Sequence, residues 1–156
     1  MSGTAGVNDR SIGIELVNPG HEFGYRPFPE PQMAALLELA SDIVARHPIP
    51  PRNVVGHSDV APRRKMDPGE LFDWPRLARA GVGLWPEASG ECVMDEDAVR
   101  RMLSTIGYEA EDLFATLKAF QRHFRPARVN GRLDRETARL AKALADQCTA
   151  GPARLA

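Results

Sequence analysis

Apolar residues between Gln32 and Arg46 recur at one helical spacing: Met33, Leu36, Leu37, Ala40, Ile43 and Val44 form a continuous stripe. The spacing predicts an amphipathic helix that ends before Pro48, Pro50 and Pro51. Upstream, SIGIELV (residues 11–17) alternates Ile12, Ile14 and Leu16 with Gly13, Glu15 and Val17, the period of a strand. The segment between them, NPGHEFGYRPFPEP (residues 18–31), has four prolines and two glycines and reads as an irregular loop. NVVGH (residues 53–57) reads as a short buried strand. Strand, helix and strand in succession predict an α/β unit with a mainly parallel sheet flanked by helices and right-handed crossovers. Functional groups in such sheets collect at the carboxyl ends of strands, where Glu15 and His57 both fall.

A short helix around Pro75–Ala80 precedes GVGLWPEASGE (residues 81–91), which lacks periodicity and marks a boundary. Three further helices follow. Their apolar faces are Val99, Met102, Leu103 and Ile106, then Leu113, Leu117, Phe120 and Phe124, then Leu140, Ala141 and Leu144 after an Asp134 cap. Phe120 and Phe124 read as core rather than as sugar-stacking platforms. These helices predict a small three-helix module.

Composition narrows the function classes. The chain has 156 residues, 43% of them hydrophobic, enough for one ordinary domain or for a smaller one with a compact module. It has no run of about 18 apolar residues to span a bilayer and no basic, apolar export leader at MSGTAGVNDR. The expected location is therefore the cytoplasm, or the periplasm if the natural start lies further upstream. The net charge of −1 argues against a general nucleic-acid binder. Eight Lys or Arg residues from Lys118 to Lys142 face only Asp134 and Glu136, a cluster expected to be a solvated helical surface. Cys92 and Cys148 are too few for a disulfide scaffold or a four-cysteine zinc site and read as plain thiols. Nothing in the chain indicates an oligomeric state.

The chemistry-bearing stretch is GHSDVAPRRKMDPG (residues 56–69). A hydrolytic zinc ion takes about three imidazole or carboxylate ligands and leaves a position for water. His57 and Asp67 offer two such groups, and Pro62, Pro68 and Gly69 make the intervening loop stiff enough to fold back. Cleaving an amide also needs a base and a cation for the oxyanion, for which Glu15 and Lys65 are the candidates. Spacing alone leaves capping or surface roles open for the histidine and the aspartate.

The segments SIGIELVNPG, YRPFPEPQMAALLELASDIVARHPIPPRNVVGHSDVAPRRKMDPGELFDW and LARAGVG closely resemble the zinc-dependent N-acetylmuramoyl-L-alanine amidases of the type-2 family, relatives of the peptidoglycan-recognition proteins. The resemblance covers nearly all of residues 8–86. It implies a Zn2+ cofactor with His57 and Asp67 as ligands, Glu15 as base and Lys65 as oxyanion stabiliser. It also implies hydrolysis of the amide between N-acetylmuramic acid and L-alanine, in peptidoglycan or in muropeptides. A further ligand, a histidine on a strand before IGIE, has no equivalent in this chain. The sheet is therefore expected to be incomplete, with residues 1–86 as the C-terminal portion of an amidase domain whose turnover is reduced. Of the remaining histidines, His21 is expected at the rim as a substrate contact rather than as a ligand.

The stretch IGYEAEDLFATLKAFQRHFRPARVNGRLDRETARL is similar to a small helical peptidoglycan-binding domain, expected over residues 93–150 after a linker at 87–92. Arg122, Arg125 and Arg128 are candidates there for stem-peptide carboxylates. The competing expectation is a catalytically inactive module that grips cell-wall glycopeptide.

Overall fold

The computed structural model describes residues 8–88, 90–92 and 94–150. The predicted unit starts at residues 1 and 93, and Ser89 of the predicted linker, lie outside the described residues. Six α-helices order the described chain. They are α1 (Glu30–Arg46), α2 (His57–Val60), α3 (Trp74–Arg79), α4 (Glu96–Ile106), α5 (Leu113–Phe124) and α6 (Arg135–Thr149). Short 3-10 turns lie at Asn8–Arg10 and Pro51–Asn53.

The four longer helices follow the periodic pattern. In α1, Met33, Leu36, Ala40 and Ile43 are buried, and Pro31 sits in the first turn, where a missing N–H costs nothing. The helices α4, α5 and α6 begin at Asp95, Asp112 and Asp134, whose side chains accept the N–H groups of Ala98, Ala115 and Thr137. Gly107 closes α4 with φ 117°, a left-handed cap.

Two predicted strands do not form. Among the described residues no strand is present: residues 11–17 and 54–56 run outside helices without a ladder partner. Alternation marks an extended chain, but a strand exists only when another segment pairs with its N–H and C=O groups. No described segment pairs with residues 11–17, and Ile12 and Ile14 remain exposed while Leu16 packs inward. The predicted NVVGH strand ends differently again, because His57 opens the α2 turn. Among the described residues the expected parallel sheet is not present, and helices and loops make up this half.

Two apolar cores result. One gathers Met33, Leu36 and Ala40 of α1 with Phe72, Trp74, Leu77 and Val82. The other joins α4, α5 and α6 through Val99, Leu103, Leu117, Phe120, Ala141 and Leu144, as the periodicity predicts for Phe120. Trp85 packs against both.

The basic stretch is largely paired. Arg125 binds both oxygens of Asp134, at 2.8 and 2.6 Å, and also Glu136. Arg128 lies 3.5 Å from Asp134, and Lys142 reaches Asp146 at 2.6 Å. Cys92 and Cys148 are not joined in a disulfide: the Cys92 thiol donates to the Ala138 carbonyl at 3.4 Å, and burial pushes the Cys148 thiol up.

Burial pulls the Asp134 carboxyl upward, but its hydrogen bonds from Arg125 and Thr137 win and hold it down at about 2. A folded value below the unfolded one, about 3.9, gives stability that is complete above pH 4 and is lost as pH falls towards 2. Asp134→Asn is expected to destabilise the protein by about 1 kcal/mol at pH 6, since solvent screens the partly exposed pair, and to flatten the acid limb of its stability curve. Urea unfolding between pH 2 and 6 measures both, and an unchanged acid limb would contradict the assignment.

Candidate functional site

The chain around His57 is shaped by close backbone approach. A Cβ at Gly56 would stand 2.7 Å from Pro68 Cδ and 3.3 Å from Trp74 Cζ2, so only glycine lets the loop and the indole close over this point. The next residue, His57, begins the one-turn helix α2. From inside that turn, Asp59 Oδ2 accepts the Gly56 N–H at 2.7 Å.

Residues 61–69 return the chain to this turn. Arg64 and Lys65 both donate their N–H groups to the Ala61 carbonyl at 3.0 Å, and the Ser58 N–H donates to the Asp67 carbonyl at 2.9 Å. The Asp67–Pro68 peptide is cis. His57 Nδ1 and Asp67 Oδ2 consequently face each other 3.0 Å apart, both about half exposed.

These donors suit a hydrolytic zinc ion in kind, and two ligands of one tetrahedral ion stand about 3.4 Å apart, close to their separation. They supply two positions. Among the described residues no group of three His, Cys, Asp or Glu side chains converges as a metal cage. Lys65 lies half-buried on the same loop, and Glu15 is exposed in the extended segment, with no hydrogen bond or ion pair to its carboxylate among the described residues.

His21 is turned elsewhere. Its Nε2 lies 2.9 Å from Glu70 Oε2, and its ring stacks on Tyr25 at 4.3 Å. The Tyr25 hydroxyl donates to the Pro68 carbonyl at 2.8 Å and accepts the Leu71 N–H at 2.9 Å, clamping the DPG turn from both sides. Burial, more than any neighbouring charge, pushes this phenol up. Burial likewise pulls Glu70 upward, but the His21 hydrogen bond and the bond from its own backbone N–H hold the carboxyl below its usual range. Arg122 of α5, itself buried, lies 3.7 Å from the same carboxylate. Of the three arginines named as candidates for stem-peptide carboxylates, on a face expected to be solvated, Arg122 and Arg125 are instead buried in internal ion pairs.

The sequence reading missed the group that joins the two halves. Asp59 is 3% exposed; its Oδ1 accepts the Tyr108 hydroxyl at 2.6 Å and its Oδ2 lies 2.7 Å from His123 Nδ1. His123 is sandwiched between Trp74 and Phe124, with each ring centroid 3.8 Å away. Burial, then the Asp59 charge, raises Tyr108 well above its ordinary value, so it remains a donor. One signal was legible: Gln121, Arg122 and His123 interrupt an otherwise apolar buried helix, and buried polar groups require partners.

The clamp yields a prediction. Gly69 has φ +93°, and a Cβ there would stand 2.2 Å from the Tyr25 hydroxyl oxygen. Tyr25→Phe, which removes both bonds, is expected to cost about 1–3 kcal/mol. Gly69→Ala should cost more, since it adds a collision to an unfavourable backbone conformation. Urea denaturation reads both, and a Gly69→Ala variant as stable as the parent would remove the clamp from the account.

Comparison with known proteins gives concordant matches. Residues 2–70 match the family described as N-acetylmuramoyl-L-alanine amidase. N-acetylmuramoyl-L-alanine amidase AmiD of Escherichia coli is 39% identical over 93% of this chain, which spans 60% of that protein's length. The 1,6-anhydro-N-acetylmuramyl-L-alanine amidase AmpD of Enterobacter cloacae is 41% identical over 45% of this chain and 35% of its own. Among solved structures, AmpDh3 from Pseudomonas aeruginosa superposes with a TM-score of 0.83 at 35% identity, covering 91% of this chain and 64% of that one. AmiD in complex with the substrate anhydro-N-acetylmuramic acid-L-Ala-D-gamma-Glu-L-Lys gives 0.72 at 38% identity, over 80% and 55%. In sequence and fold the chain is thus similar to N-acetylmuramoyl-L-alanine amidases, about 60% of whose length it spans.

Proposed function

We propose that this protein hydrolyses the amide between the lactyl group of N-acetylmuramic acid and L-alanine, in muropeptides or peptidoglycan. The observation that carries the reading is the convergence of His57 Nδ1 and Asp67 Oδ2 at 3.0 Å in a loop of the family's pattern. These two side chains would hold a zinc ion, which when bound would polarise the scissile carbonyl and offset negative charge.

Glu15 takes a proton from the attacking water and returns it to the alanine nitrogen as the C–N bond breaks. The products are the lactyl carboxylate and a free α-amino group. Lys65, two residues before Asp67, places its ammonium beside the carbonyl oxygen as that oxygen gains charge. His21 stands at the rim as a substrate contact, oriented by Glu70 and Tyr25. An open groove of about 380 Å3, lined by Glu96, Arg100, Phe114, Leu117, Arg132 and Leu133, supports a glycopeptide-holding role for α4–α6. No helix of the described residues is long and apolar enough to cross a membrane.

Incubated with zinc and an anhydro-N-acetylmuramyl tripeptide, the protein is expected to release the tripeptide with a new amino terminus, read by chromatography. Glu15→Ala should lower release by about 100-fold or more while zinc stays bound. Asp67→Ala should lose both zinc and release. Retention of the glycopeptide without cleavage would replace this reading with that of an inactive binding module.

A further inference from the structure

The four-residue α2 is too short to be stable by its own hydrogen bonds, because the first turn of a helix is the costly one to form. Its Asp59 carboxylate is bound at three points. One is the Gly56 N–H at the head of the same turn. The others are the Tyr108 hydroxyl just beyond α4 and the His123 ring on α5, 49 and 64 residues away.

The same turn holds both members of the candidate metal pair. His57 is its first residue, and the Ser58 N–H fixes the Asp67 carbonyl at 2.9 Å. A continuous series of bonds therefore runs from the helical half, through Asp59, to the side chain of His57 and the backbone of Asp67.

We infer that Tyr108 and His123 are positioning residues for the His57–Asp67 pair, acting through Asp59, so that the helical half is part of the scaffold of the reaction centre. The inference rests on His57 and Asp67 being the metal-holding pair. Its physical basis is the cost of losing one partner of a buried carboxylate: the charge must then seek a replacement donor, and the one-turn α2 that carries it has little helical structure of its own to resist a shift. A shift of α2 turns the imidazole away from Asp67.

The test compares Tyr108→Phe, His123→Leu and His123→Asn in the full chain. Asparagine retains a side-chain N–H able to reach Asp59 but loses the stack on Trp74, whereas leucine loses both. Two-bond proton–nitrogen spectra of the His57 ring report its orientation and tautomer without any metal, and zinc titration reports affinity. Tyr108→Phe and His123→Leu are expected to broaden or split the His57 ring signals and to weaken zinc binding about tenfold, as loss of outer supporting hydrogen bonds does elsewhere. His123→Asn is expected to keep both near the parent values, although its melting temperature falls.

A purely structural role would lower the melting temperature of all three variants and leave the His57 signals and zinc affinity unchanged. That result overturns the inference. If Asp67→Ala binds zinc as tightly as the parent, the metal-pair reading fails instead, while the ring signals still decide whether Tyr108 and His123 position His57.

Discussion

A single buried carboxylate organises this molecule. Asp59, with a side chain 1% exposed, cannot be solvated by water, so its charge has to be met by protein donors. It finds three, on three separate segments. Only when the chain from Gly56 to Asp67, the segment at Tyr108 and the helix bearing His123 are all in place is the charge compensated, so their folding is coupled. The geometry of the GHSD turn follows from that coupling rather than from any helical preference of four residues.

A second series of contacts runs parallel to the first at the surface. Tyr25 grips the DPG turn, His21 stacks on Tyr25 and reaches Glu70, and Glu70 lies beside Arg122 of α5. The loop at 18–29, rich in proline and glycine and with no helix or strand of its own, is ordered this way. Both series end on adjacent buried residues of α5, Arg122 and His123, so the last turn of that helix supports both the GHSD turn and the Tyr25 clamp.

The helices were legible because their signals are local. An apolar stripe of period 3.6, with Asp134 read as the cap of α6, spans about a dozen residues; Asp95 and Asp112 cap α4 and α5 in the same way and were not read. The strands misled because alternation describes only one half of a pair, and no described segment pairs with residues 11–17. His57 and Asp67 were found because their loop is a dense motif ten residues apart. Asp59 lay in the same motif, but its partners are 49 and 64 positions away and no periodicity connects them. Paired charges hid in a similar way: the Arg-rich stretch reads as a solvated face until Arg125 is seen held between Asp134 and Glu136.

The placement of the indoles has an optical consequence. The protein has two tryptophans, and both sit where the halves meet: Trp74 lies flat against His123, and Trp85 touches both cores. Its intrinsic fluorescence is therefore a gauge of the junction itself, with no background from indoles elsewhere in the chain. A parting of the halves that left every helix intact, invisible to far-ultraviolet dichroism, would register in the emission of both residues at once.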